Sequence, residues 1–472
     1  MNNRDAIIIE ADNHRLEFGE NLHDLIMEAI YTDASRISSR SVTKKGTNEI
    51  PTVDRIIDRI VTSKWLGFPI MFLMLSLVFW LTVEGANYPS AMLASLLVDM
   101  GHPFVKELFA SIGIPLWVNG LLIDGGYLAM AWVIAVMLPP MAIFFPTYTF
   151  LEDFGYLPRV SFNMDSLYRR AGAHGKQALT TAMGFGCNAA GVVATRVIDS
   201  PREKLIAIIT NNFSLCNGRW PTQILIASIF IGAMVPAHLA GIVTAGAVVF
   251  VALLGIFLSL VVSWGLSKTV LKGEASAFTL ELPPYRPPRI LQTLYTSLID
   301  RTIFILWRAL LFAFPAGLVI WLVANVSIGG ESIGVHFINF SDPFALFLGL
   351  NGVILLAYII AIPANEIVIP TILMLTVMAA GISGVGSGEG VMFELDSANM
   401  TRDILVAGGW TTLTAINLML FSLLHNPCST TIYTIYKETR SVKWTVIASV
   451  LPVIMGLIVC FFVAQFWRLF GG

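Results

Sequence analysis

Residues 184–191 read Gly184-Phe185-Gly186-Cys187-Asn188-Ala189-Ala190-Gly191: three glycines around one thiol and one amide. They sit inside an apolar stretch, 178–197, that is too interrupted to form one plain membrane helix. Backbone broken at membrane depth is stable only where protein or a water-filled cavity covers its open N–H and C=O groups. The stretch therefore predicts a broken or re-entrant helix within a polytopic membrane protein. Its surroundings agree. Clear apolar runs precede it at 65–83 and 127–150 and follow it at 205–235, 240–266, 302–324, 344–362, 367–380, 404–424 and 444–466. About 20 apolar residues suffice to cross a bilayer, so the hydropathy predicts an all-α chain with about nine spans.

Composition excludes the main alternatives. Of 472 residues only 13% are charged, against about 25% in soluble domains, while 56% are hydrophobic and the mean hydropathy is +0.75. Disorder needs the opposite balance. A net charge of −2 argues against nucleic acid as a partner, and four cysteines cannot staple a chain of this length as a disulfide scaffold.

Basic residues set the orientation. Segments 1–64, 151–204, 267–301 and 437–443 hold 24 of the 29 Lys and Arg residues, and the segments between alternate spans hold only Lys106 and Arg402. By the positive-inside rule this places the N-terminus in the cytoplasm of a multi-pass protein of the inner or plasma membrane. Residues 1–64 contain no signal-peptide core and read as a cytoplasmic leader with amphipathic helices. Leu22, Leu25, Ile26, Ala29 and Ile30 recur at helical spacing, and 53–61 forms a second such helix.

Chemistry is expected where helix breaks carry polar or sulfur groups. The first break offers Cys187 and Asn188. The second, Asn211-Asn212-Phe213-Ser214-Leu215-Cys216-Asn217-Gly218-Arg219-Trp220-Pro221, is a polar island offering Cys216 and Asn217. The third, Ile362-Pro363-Ala364-Asn365-Glu366, places Asn365 and the carboxylate of Glu366 between two prolines, Pro363 and Pro370. The fourth, His425-Asn426-Pro427-Cys428, offers Cys428. Cys460 lies in an unbroken apolar run and reads as a packing residue. Each break also has a plainer reading: close packing of small residues around an inert thiol, interhelical amide bonds, a helix-capping Glu366, or an interfacial His425. Thiols mixed with amide and carboxylate oxygens suit a divalent transition metal better than Ca²⁺ or Mg²⁺. No phosphate loop, CxxC, HExxH or GxSxG string is present. The sequence therefore predicts neither an enzyme nor a bound cofactor.

The order of several strings resembles the membrane part of FeoB-type ferrous iron transporters. They are Leu151-Glu152-Asp153, Met164-Asp165, Gly175-Lys176, Gly184-Phe185-Gly186-Cys187-Asn188, Ala194-Thr195-Arg196, Cys216-x-Gly218-Arg219, Glu281-Leu282-Pro283-Pro284-Tyr285-Arg286 and Pro427-Cys428. The resemblance covers roughly residues 50–470. It implies an importer of Fe²⁺ with a first gate region at 65–266, a cytoplasmic linker at 267–301 and a second gate region at 302–472. It also implies Cys187, Cys216 and Cys428 along the ion path, with Glu366 as the acidic position of the second gate. Two departures are visible: Ala189-Ala190-Gly191 replaces the family's Val-Pro-Ala, and Asn365 stands where a lysine is common. The family's N-terminal GTPase domain has no counterpart in this sequence. The resemblance thus implies a separate GTPase or small cytoplasmic regulator, a relative that works without one, or a sequence that is one part of a longer chain; a homo-oligomer is left open. Charges at Glu152, Asp153, Arg159, Asp165, Arg169 and Arg170, and at Lys272, Glu274, Glu281, Arg286 and Arg289, are expected to form a docking surface. The competing readings are a gate-type transporter of another metal, one of an organic solute such as a nucleoside, and a membrane scaffold or sensor for a separate GTPase.

Overall fold

The computed structural model describes residues 22–41, 53–63, 65–272, 285, 289–382, 384–385, 390–395 and 397–470. These are helical almost throughout; the strands found among them are the two-residue pair Ser327–Ile328 and Glu331–Ser332, closed by Gly329 and Gly330 at positive φ. Five continuous helical stretches are long and apolar enough to cross a membrane: Gly67–Ser111, Leu116–Asp153, Ala237–Lys268, Ile290–Asn325 and Val442–Leu469. Their outer surfaces carry exposed large apolar side chains, among them Leu73, Trp80, Phe250, Phe257, Ile454 and Phe462. In water such a surface would be untenable, whereas lipid accepts it. The chain is a multi-pass membrane protein.

The expected count of nine spans is not confirmed. Two bent helix pairs, Ile333–Phe347 with Gly352–Ile360 at 112° and Ala398–Ala407 with Thr412–Thr439 at 107°, raise the total among the described residues to seven at most, if each counts as one span. The apolar runs 205–235 and 367–380 do not make full-length helices. The first is interrupted at Asn211–Phe213 and again before Trp220, and the second yields Val368–Ala380, 13 residues long. Hydropathy counts apolar residues, but it cannot see that an Asn- and Gly-containing island ends one α-helix at Thr210 and delays the next until Trp220.

The helix Leu128–Asp153 forms the centre, packed against Gly67–Ala94 on one side and Phe304–Asn325 on the other. Close approach on the second side depends on paired glycines: a methyl group added to Gly125 would stand 2.8 Å from the Gly317 carbonyl oxygen. Small residues at such crossings let helices gain van der Waals contact where lipid supplies no hydrophobic drive.

The leader helices are present as Leu22–Ser41 and Val53–Val61. The shorter one is pinned. Its Asp58 accepts from Arg159 Nε at 2.9 Å, and the Arg159 guanidinium lies 4.1 Å over the Tyr285 ring. Arg159 is only 1% exposed, so it is structural and unavailable to the docking surface the sequence suggested. Glu274, Glu281 and Arg286 of that expected surface lie outside the described residues.

The loop before Gln177–Gly186 buries His174, whose Nδ1 accepts the Lys176 backbone N–H at 2.9 Å. That bond needs the neutral ring. Burial lowers the His174 pKa below its ordinary 6.5, and nearby Glu203 and Asp165 only partly offset this. Below pH of about 6.5 the unfolded chain therefore takes up a proton that the folded loop resists. The native protein should lose stability as pH falls from that value toward the folded-state value, and His174→Gln should lose less across the same window. Thermal unfolding in detergent at several pH values checks this; parallel curves would refute it.

Candidate functional site

The four sequence-predicted breaks form two pairs. In the first, Gln177–Gly186 ends at Cys187, which is extended at φ −152° and ψ 119°, and Asn188–Ala194 resumes the helix. Its companion is the unwound stretch after Asn211–Phe213. The two are stitched by a backbone bond, Asn217 N–H to Gly186 O at 3.1 Å. The second pair repeats the design. Gly352–Ile360 ends before Ala364, extended at φ −150° and ψ 119°, and Asn365–Ile367 starts the next helix. Its companion follows Thr412–Leu424, and Ser429 N–H donates to Ile362 O at 3.1 Å. Two breaks with near-identical dihedrals, each closed by a backbone bond from its companion, are the pattern expected of repeated half-helix units.

The amides hold the breaks in place. Asn211 Nδ2 donates to Asn188 O at 2.8 Å, which ties the second break to the first. Asn212 Nδ2 reaches Ala448 O at 2.9 Å, and Asn417 Nδ2 reaches Leu348 O at 2.8 Å. Each such bond contributes about 1 kcal/mol net, and an unmade one at this depth costs about 1–3 kcal/mol. The three-asparagine island of the sequence is thus largely structural. Asn188, Asn211 and Asn212 are buried, whereas Asn217 keeps partial exposure.

The two pairs meet at Asn365. Its Nδ2 lies 3.7 Å from Cys216 Sγ and its Oδ1 lies 3.0 Å from His425 Nε2. His425 is 2% exposed, its Nδ1 is 3.1 Å from Ser422 O, and its ring meets Tyr358 edge to face at 4.7 Å. One side chain from the third break therefore joins a thiol of the second to an imidazole of the fourth. Glu366 lies against the Cα of Gly218, where an added methyl would stand 2.5 Å from Oε1. Only glycine allows this approach. Cys428 Sγ is 3.2 Å from Thr431 Oγ1. Cys187 and Cys216 are buried, while Glu366 and Cys428 remain partly open.

The structure thus gathers all seven expected residues around two adjoining pairs of breaks, but it does not preassemble a cage. Among the described residues no three His, Cys, Asp or Glu side chains are placed to hold one metal ion together. Cys460 is fully buried and donates its S–H to Asn417 O at 3.4 Å, consistent with a packing role. Two residues outside the expected set prove central: His425, and Arg219, which is 1% exposed and donates to carbonyls of the second pair. A lone arginine between Gly218 and Trp220-Pro221 in an apolar run is the sequence signal that marks the latter.

Two family models match parts of the chain. Residues 134–230 match the family model Gate, described as nucleoside recognition, and 248–300 match that of the ferrous iron transport protein B C terminus. The Fe(2+) transporter FeoB of Staphylococcus aureus (strain MSSA476) is 28% identical over 418 residues, which cover 88% of this chain and 59% of the relative. That of Campylobacter jejuni is 26% identical over 87% of this chain and 64% of its own. An Fe(2+) transport protein A/Fe(2+) transporter FeoB fusion protein of Porphyromonas gingivalis is 25% identical over 99% of this chain and 58% of its own. The chain thus spans about six-tenths of the length of the curated relatives it matches, whose N-terminal part is unmatched. No solved structure matches it.

The burial pattern yields one chemical expectation. A membrane-permeant maleimide should modify Cys428 at least about tenfold faster than Cys460, because reaction needs an accessible thiolate. Peptide mapping after brief labelling measures the ratio; comparable rates would mean that the fourth break is as closed as the core.

Proposed function

We propose that this chain, similar to Fe(2+) transporters of the FeoB type over nearly nine-tenths of its length, carries ferrous iron across the inner membrane from outside to cytoplasm. The ion is passed along the two joined pairs of breaks. Cys216, Cys428 and Glu366 are its main side-chain ligands, with Asn365, Asn217, Cys187 and Asn188 lining the way. The observation that supports this best is the bridge from Cys216 through Asn365 to His425, beside Glu366. It sets soft and hard donors next to carbonyls freed by broken helices, a mixture that suits Fe²⁺. A conducting site must bind weakly enough to release. An ion would be handed between small groups of donors.

The N-terminus is read as cytoplasmic from the distribution of basic residues, and the protein as a transporter without catalysis of its own. A relative that joins transport protein A to the transporter in one chain supports a small separate partner for this one. The nucleoside reading, despite the description of the Gate family model, is not favoured: three thiols at breaks offer little to a sugar or base. A pure scaffold role is not favoured either, because it leaves the breaks without a purpose.

The test is uptake of Fe²⁺, kept reduced, into sealed vesicles containing the purified chain. Cys216→Ser and Glu366→Gln should lower uptake about tenfold or more while leaving the protein folded, and Cys460→Ser should match the native chain. Absence of Fe²⁺ uptake alongside uptake of a nucleoside would reverse the assignment.

A further inference from the structure

Two arginines are the largest fully buried side chains among the described residues, and they are answered differently. Arg159 meets the carboxylate of Asp58. Arg219 meets no carboxylate at ion-pairing distance among the described residues. All four N–H groups on its terminal nitrogens go to backbone oxygens instead. Nη1 donates to Asn212 O at 3.2 Å and Leu423 O at 2.9 Å, and Nη2 to His425 O at 3.4 Å and Asn426 O at 3.2 Å. Its Nε is buried without a partner.

Three of those four oxygens belong to the end of Thr412–Leu424 and the turn that follows. The last carbonyls of a helix have no intrahelical donors and carry the negative end of its dipole. Where a transporter helix is broken at membrane depth, such oxygens form sites for small monovalent cations. Here a delocalised, weakly hydrated cation on a side chain lies among them. The orphaned Nε shows that the fit is to the terminal nitrogens alone, as expected where the cage is built for a compact cation rather than around a five-donor side chain.

We propose that the oxygens of Leu423, His425 and Asn426 form a monovalent-cation site that Arg219 fills as a tethered cation. It bolts the first pair of breaks to the second and makes a free Na⁺ or K⁺ unnecessary there. The inference holds whatever the cargo is, and its test does not involve transport.

The full chain is purified in detergent as native protein, Arg219→Ala and Arg219→Lys. Thermal unfolding is followed with guanidinium, sodium, potassium or tetramethylammonium chloride added to on the order of 10 mM at matched ionic strength, since a ligand that binds only the folded state raises the midpoint saturably. The native midpoint should not respond to any of them. Arg219→Ala should unfold several degrees lower and recover at least half of the loss with guanidinium or an alkali cation, but not with tetramethylammonium, which is too large and has no donors. Arg219→Lys, which keeps the charge, should lie between the two and show little response. The proposal is overturned if folded Arg219→Ala responds to no small cation more than to tetramethylammonium, or if Arg219→Lys is as unstable as Arg219→Ala. It is equally overturned if neither variant survives extraction, since shape rather than charge would then be what the site requires.

Discussion

Backbone polar groups freed inside a bilayer must find partners in protein, and this requirement governs the whole structure. Four helices are broken, and every break returns its backbone to a neighbour. Asn217 N–H goes to Gly186 O, Ser429 N–H goes to Ile362 O, and the Arg219 guanidinium answers the carbonyls at the end of Thr412–Leu424. The bonds of Arg219 join segments more than 200 positions apart, as between Arg219 and Leu423. None of the breaks would be tolerable alone. Together they give a polar seam sealed from lipid by unbroken helices such as Ala237–Lys268 and Val442–Leu469.

The seam is chemically uneven. Its structural part is amide and carbonyl: Asn211, Asn212 and Asn417 donate to backbone oxygens and fix the helices. Its reactive part is small and lies at the join, where Cys216, Asn365 and His425 form one chain and Glu366 rests on Gly218. That division sets a small cluster of polar and sulfur side chains in a frame held by amide–carbonyl bonds. Glu366 and Cys428 keep partial exposure within it.

Charge is also held between distant segments away from the seam. Arg196 and Lys204, which flank the start of Pro201–Thr210, both reach Glu438 near the end of Ser429–Thr439; Arg196 Nε is 3.0 Å and Lys204 Nζ 3.4 Å from its carboxylate. Segments 151–204 and 437–443, which the basic-residue count assigned to one side of the membrane, are thereby in contact.

By itself the sequence determined the class of protein, the location of all four breaks and the residue types placed at them. Gly, Pro and Asn clustered with other polar groups interrupt an apolar run locally, so a break is legible at Gly186-Cys187-Asn188 and at Pro363-Ala364-Asn365, whereas single prolines such as Pro140 and Pro452 stay inside unbroken helices. It also set Cys460 apart, because nothing around that thiol interrupts the helix. What only the tertiary structure decided is which breaks face each other. That depends on long-range bonds such as Asn217 N–H to Gly186 O and Ser429 N–H to Ile362 O, which no local pattern announces; hydropathy is likewise blind to helix bends, of 112° before Gly352 and 107° before Thr412, and expected more spans than the helix lengths support. The role of Arg219 was hidden for a related reason. A cation in an apolar run announces a partner, but its partners here are backbone oxygens, which every residue possesses and no sequence distinguishes.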